Sequence, residues 1–429
     1  MKIIKSILLS LCFLVCLEGF GQNNETIQAV YTKELSKLIN QKKVKQAFKI
    51  IDSNDEQTIK DMIALTEVIA PPFKESERAA MFKTMLEAAG ADKVWIDEVG
   101  NVLALRKGVD SKKTIGLDAH LDVVFPEGTD VKVKKVGDTL KAPGIGDDTR
   151  GLSMIIAVLK AMNEAEIATQ NDLVFVGSVG EEGLGDLRGM KYLFNKSDMK
   201  IDSWISIDGG DLGRINNAAL GSKRYKVLLK GKGGHSWASF GLANPHHAMG
   251  KVIDYFNKAA SEFTSKGLKT SFNVGRMGGG TSVNSIPFES WMEVDMRSVS
   301  AESLDEIEEI FKTAVNTAVN DYNKDYTENK ITIELQKIGD RPSGELATDL
   351  PLIQRAMAAT TLFGVTPKLT IGSTNASIPI SMGIPAICIG RGGESGGAHS
   401  LHEWFINKNG AEAIKLALLI TLSEAEFAK

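Results

Sequence analysis

Between about residues 222 and 335 the sequence sets out six elements in an order that leaves little freedom of fold. They are strand "YKVLLKGK", helix "HHAMGKVIDYFNKAASEF", strands "SFNVGRM" and "SWMEVDMRS", helix "LDEIEEIFKTAVNTAVNDYN" and strand "KITIEL". Strands and helices are told apart here by the period of their apolar residues, two against three to four. The order β-α-β-β-α-β is a ferredoxin-like unit, complete in itself. The flanks have another rhythm. From about residue 53 to 216, helical stretches such as "SERAAMFKTMLEAAG" alternate with the short apolar runs "KVWIDE", "NVLALRK", "TIGLDAH" and "DLVFVGSVG". "RGLSMIIAVLKAMNEA" reads as a buried helix between two of these strands. A mostly parallel sheet covered by helices requires that alternation. It resumes after the unit with "LPLIQRAMAATTLFG", "KLTIG", "PAICIG" and "KNGAEAIKLALLITLSEAEF". The predicted fold is therefore α/β, a mostly parallel-sheet domain formed by residues 22–221 and 337–429 and interrupted by a ferredoxin-like α+β insertion, residues 222–336.

A chain of 429 residues is long enough for this plan, and 43% hydrophobic with 24% charged residues excludes a disordered or collagen-like chain. Residues 1–21 are predicted to be a signal peptide. Lys2 and Lys5 precede an apolar run over residues 7–17, and Gly19 and Gly21 follow it. A membrane anchor would need a run of ~20 apolar residues. The expectation is an exported protein, periplasmic or secreted, with no membrane attachment after cleavage. Cys12 and Cys16 lie in that segment, so the mature chain keeps only Cys388 and has no internal disulfide. A formal net charge of -4 gives no reason to expect nucleic acid as a partner.

Zinc in hydrolases takes imidazole nitrogen and carboxylate oxygen, and a two-metal site adds a carboxylate that touches both ions. Five strand ends or glycine-rich turns offer such groups. In "GLDAHLDVV", His120 ends an apolar strand, and two residues on, the Asp122 carboxylate can accept the other ring N–H of the imidazole. "APGIGDDTRG" offers Asp147 and Asp148 before the buried helix, where one can face a metal while the other caps the helix. "LVFVGSVGEEG" ends on Glu181 and Glu182, whose adjacent charges call for compensation. "SWISIDGGD" runs into Asp208, and "GRGGESGGAHSLHEWF" carries His399 and His402.

These motifs, His120-Leu121-Asp122, "GDD", "GEEG", "IDGG" and "AHSLHEW", resemble in order the metal-site motifs of one family. It is the cocatalytic di-zinc metallopeptidases that include carboxypeptidase G, aminoacylase, succinyl-diaminopimelate desuccinylase and peptidase T, known as metallopeptidase family twenty. The resemblance implies that the insertion is a dimerisation or lid domain. It implies two zinc ions, with cobalt or manganese as alternatives. His120 and Asp208 would hold one ion, Glu182 and His399 the other, and Asp147 both; Asp148 remains an alternative to Asp147. Glu181 would be the general base and Asp122 a support behind the ligands, as would His402. Asn284 in "GGGTSVNSIP" and Arg297 in "VDMRS" would hold the substrate carboxylate. His235 in "GKGGHSW" would reach the reacting carbonyl, often from a partner subunit, so a homodimer is expected. Asn375 in "GSTNAS" stands at a substrate-side position where the family commonly has Asp.

The function implied is hydrolysis of amide bonds in small peptides, in the manner of an aminopeptidase or tripeptidase. The alternative within that chemistry is removal of the acyl group from N-acyl amino acids. From another class, the chain is a non-catalytic binding protein on the same fold. Such a protein should have lost one of His120, Asp147, Glu181, Glu182, Asp208 or His399, and all are present.

Overall fold

The computed structural model describes residues 26–428. The expected signal segment lies outside the described residues. Three helices, α1 (Ala29–Ile39), α2 (Lys42–Ser53) and α3 (Asp55–Thr66), precede the first element predicted from sequence. They are followed by α4 (Ser76–Ala88), β1 (Lys93–Ile96), β2 (Val102–Arg106), β3 (Thr114–His120), α5 (Thr149–Glu164), β4 (Asp172–Ser178), β5 (Ser203–Ile207) and β6 (Arg214–Ala219). The insertion comprises β7 (Gly221–Lys230), α6 (Pro245–Thr264), β8 (Thr270–Gly279), β9 (Glu289–Ser298), α7 (Ala301–Tyr322) and β10 (Thr332–Arg341). After it come α8 (Pro351–Leu362), β11 (Lys368–Gly372), β12 (Ala386–Ile389) and α9 (Gly410–Glu424).

The main sheet runs β1-β2-β4-β3-β5-β12-β6, with β11 also pairing β6. Its centre is parallel: β3 pairs β4 and β5, and β5 pairs β12. Towards the margins β1 pairs β2, β2 pairs β4 and β12 pairs β6 antiparallel, while β11 joins β6 in parallel. The turn between Ile96 and Val102 shows why at one edge. A parallel pair needs a crossover of a dozen or more residues, whereas here Asp97 Oδ1 accepts the N–H of Val99, Gly100 and Asn101 and closes a hairpin. The central strands are buried almost end to end, as a sheet covered on both faces requires. α5 packs against β3, and α2, α3 and α9 pack against α5.

The insertion has its own sheet, β8-β9-β7-β10, antiparallel throughout. β9 alternates buried and half-buried residues along its whole length. Met292, Val294 and Met296 thus meet Phe256 of α6 and Phe311 of α7 in a core separate from that of the main sheet. Leaving β6, the chain turns at once into β7, and β10 ends at Arg341. Ser222 at the start of β7 pairs Arg341 at the end of β10, and Arg341 reaches Glu181, so this end of the insertion lies beside the rim of the main sheet where the parallel strands end.

Candidate metal centre

Parallel strands carry their carboxyl ends to one rim, where ligands of α/β proteins bind. β3 ends on His120, β4 leads to Glu181 and Glu182, β5 leads to Asp208, and β12 leads to Arg391 and then to His399. The registers His120 beside Ser178 and Ile207 beside Ile389 bring these ends level.

Asp147 arrives from the loop before α5. The Glu403 carboxylate fixes that loop by accepting the N–H of Gly144 at 2.8 Å, Gly146 at 2.9 Å and Asp147 at 3.0 Å. Asp147 and Asp148, joined by a cis peptide bond, have different surroundings. Asp148 is wholly buried, caps α5 through the N–H of Gly151 at 3.2 Å and accepts the N–H of His120 at 3.3 Å. Asp147 instead lines a cleft, with Oδ1 3.2 Å from His120 Nε2 and Oδ2 3.4 Å from His399 Nε2. Donor atoms of His120, Asp147 and Asp208 lie within 4.8 Å of one another, and so do those of Asp147, Glu182 and His399. Asp147 is common to both groups. A third such group joins His120, Glu181 and Glu182.

The Asp122 carboxylate does something other than the spacing predicts. It accepts the backbone N–H of Glu181 at 2.9 Å and of Glu182 at 2.8 Å. The ring of His120 donates from Nδ1 to the backbone carbonyl of Asp122, at 2.9 Å, and stands 3.7 Å from its carboxylate. A carbonyl can only accept, so Nδ1 carries the proton and the Nε2 lone pair is left for a cation. β3 ends at His120, so the alternation of an extended chain no longer aims Asp122.

Charge balance shows that this pocket fits metal ions. Hydrogen bonds to Asp147 and Glu182 push the half-exposed His399 up to about 10. Burial disfavours charge on His120, yet Asp147, Asp148 and Glu181 hold its pKa well above the ordinary imidazole value. Burial raises Glu181 to about 8, with Glu182 adding to the rise and Arg341 opposing it. Carboxylates that drive two imidazoles to protonate are short of positive charge, and bound cations supply it while freeing both ring nitrogens.

Two buried arginines supply part of that charge. Arg391 Nη1 is 3.1 Å from Asp147 Oδ1 and 3.5 Å from Asp208 Oδ1. Arg341 Nη1 is 3.1 Å from Glu181 Oε1 and from Ser373 Oγ, and Nη2 donates to the Glu181 carbonyl. Neither arginine, nor Glu403, is singled out by sequence reasoning; its place inside "AHSLHEW" is the one signal for Glu403.

The remaining candidates lie apart. The cleft, of about 500 Å³, includes Arg297 in its lining but neither His235 nor Asn284. Those two meet at an exposed corner of the insertion, where His235 pairs Ser285 and Ser236 N–H donates to the Asn284 carbonyl at 2.9 Å. Asn375 does not face the cleft. It is buried, with Nδ2 donating to Asp118 Oδ2 at 2.5 Å and Ser178 Oγ at 2.6 Å. Asp118 also accepts Trp204 Nε1–H at 2.7 Å, so Asn375 belongs to a polar network tying β3, β4 and β5 together. His402 is exposed and lines a different surface cavity, beside Trp404.

Comparison with known proteins agrees with this architecture. Peptidase T of Caldanaerobacter subterraneus is 23% identical over 352 residues, covering 72% of this chain and 82% of that protein. N-acetylcysteine deacetylase of Bacillus subtilis is 24% identical over 246 residues, covering 54% of this chain and 62% of that one. The crystal structure of aminopeptidase PepT from Bacillus cereus superposes with a TM-score of 0.67 at 20% identity, over 87% of this chain and 99% of that chain. Residues 116–422 match the family described as Peptidase family M20/M25/M40, a span that includes every one of the site residues above, and the chain is a peptidase or amidohydrolase belonging to that family.

Proposed function

We propose that the protein is a di-zinc hydrolase of small peptides, of aminopeptidase or tripeptidase type. The observation that carries this reading is that Asp147 is common to two separate donor groups, with one oxygen towards His120 and the other towards His399. Imidazole with carboxylate suits zinc, and cobalt or manganese would find the same donors acceptable. His120, Asp147 and Asp208 would hold one ion and Asp147, Glu182 and His399 the other. When bound, the ions supply Lewis acidity, which eases deprotonation of water and polarises an amide carbonyl.

The chain's own groups do the rest. Glu181, with its N–H held by Asp122 and its side chain by Arg341, accepts a proton from water and returns it to the departing amine. Arg297 and Asn284 would hold the substrate carboxylate, and His235 would donate to the carbonyl oxygen as charge develops there.

One observation favours the N-acyl amino acid reading. Among the described residues the carboxylates lining the cleft are Asp147, Glu181, Glu182 and Asp208, all within the donor groups. None is left over to meet a free α-ammonium. Assay of the zinc-loaded protein on tripeptides and N-acetyl amino acids, with and without chelator, separates the two readings. Chelator is expected to abolish turnover and zinc to restore it; chelator-resistant turnover would contradict the metal assignment.

Since His235 and Asn284 lie outside the cleft of their own chain, a homodimer that exchanges them is part of the proposal. Trp237 and Phe240 beside them are 86% and 90% exposed, an apolar surface that a second copy would cover. Mixing inactive His235→Ala and Glu181→Gln proteins under subunit exchange is expected to restore partial activity. A verified heterodimer without activity would exclude exchange.

A further inference from the structure

Four arginines line the cleft, Arg214, Arg224, Arg297 and Arg341, and their counter-charges are unequal. Arg341 is matched by Glu181 at 3.1 Å. Arg224 and Arg297 share a single carboxylate, Asp295, at 2.9 Å and 2.7 Å, so that trio carries one net positive charge. Arg214 has no carboxylate at ion-pair distance among the described residues. Apart from the metal-site carboxylates and their Arg391, the cleft therefore carries two unmatched positive charges. A single substrate carboxylate at Arg297 answers one of them.

Arg214 is held for use. It begins β6, its Nε donates to Asn216 Oδ1 at 3.0 Å, and its Nη1 donates to the carbonyl of Gly209, the residue after Asp208. Nη2 has no hydrogen-bond partner among the described residues. The room it occupies is cleared by glycines. A Cβ on Gly210 would stand 2.6 Å from Arg214 Cδ, one on Gly209 3.3 Å from Nη1 and one on Gly372 3.2 Å from Nη2. A guanidinium fixed at two nitrogens keeps a planar edge free for a carboxylate, and little entropy is lost when one binds.

We infer that the substrate is doubly anionic, with one carboxylate at Arg297 and a second acidic group, on a side chain or on the acyl portion, read by Arg214. This rests on the reading of the protein as a small-peptide or N-acyl amino acid hydrolase. It narrows that class to acidic peptides or acylated acidic amino acids.

The test uses the full zinc-loaded protein and matched substrates that differ only as acid against amide. They are tripeptides with Glu against Gln at each position, and N-acetylglutamate against N-acetylglutamine. For at least one pair kcat/KM is expected to favour the acid by about 10- to 100-fold, the worth of a hydrogen bond to a charged group. In Arg214→Met that ratio falls towards one, mainly through KM, at unchanged metal content, and Arg214→Lys restores part of it. A wild-type ratio near one in every pair would overturn the inference while leaving the hydrolase reading intact. A preference that survives Arg214→Met would remove Arg214 from the role. No turnover of any pair would overturn the hydrolase reading itself and this inference with it.

Discussion

Glu181→Gln is expected to lower turnover by about 10³-fold while the protein keeps the metal content of the wild type. The size follows from what positioned general acids and bases contribute, about 10²- to 10⁴-fold. The substitution preserves shape and leaves the backbone N–H of residue 181 on Asp122, so the loop carrying Glu182 stays in place. It removes a group that burial and the neighbouring Glu182 make a better proton acceptor than a free carboxylate, against the pull of Arg341. Metal analysis alongside kinetics separates loss of the base from loss of the site. Turnover near wild type in the variant would refute the assignment.

Asp147→Asn is expected to act on both metal positions together. Its two carboxylate oxygens face His120 and His399 separately, and an amide offers only one oxygen. Metal content should fall at both positions and activity should drop to the level seen with chelator. His399→Ala, by contrast, should weaken only the position formed with Glu182. Asp148→Asn provides the control. Asp148 caps α5 and supports the His120 backbone, and an asparagine caps about as well as an aspartate, so this variant should lose less than about 1 kcal/mol of stability and leave both metals bound. Loss of metal from the Asp148 variant, with retention in the Asp147 variant, would exchange the two roles.

His120, Glu181, Glu182 and Asp208 were legible in the sequence because each closes an apolar run, and parallel strands place the ends of such runs together. The insertion was legible because its period-two and period-three-to-four stretches follow one complete order. What escaped depends on pairing between distant segments. Arg341 meets Glu181 across 160 residues and Arg391 meets Asp147 across 244. A charged residue at a strand end or in a loop is ordinarily exposed, and nothing local marks one that is buried by its partner. The buried setting of Asn375 escaped for a related reason. Its amide can serve a substrate or a buried carboxylate equally well, and the hidden acceptor, Asp118, stands between Leu117 and Ala119 in an otherwise largely apolar strand. Asp122 shows a subtler limit, since two-residue periodicity holds only while the strand continues, and β3 stops at His120.

The central claim is that one carboxylate, Asp147, organises two metal positions at the carboxyl ends of the parallel strands. Anomalous diffraction at the zinc edge from crystals of the zinc-loaded protein tests it most directly. Two peaks are expected, one among His120, Asp147 and Asp208 and one among Asp147, Glu182 and His399, about 3.5 to 4 Å apart. A single peak, or two peaks of which only one lies against Asp147, would contradict it.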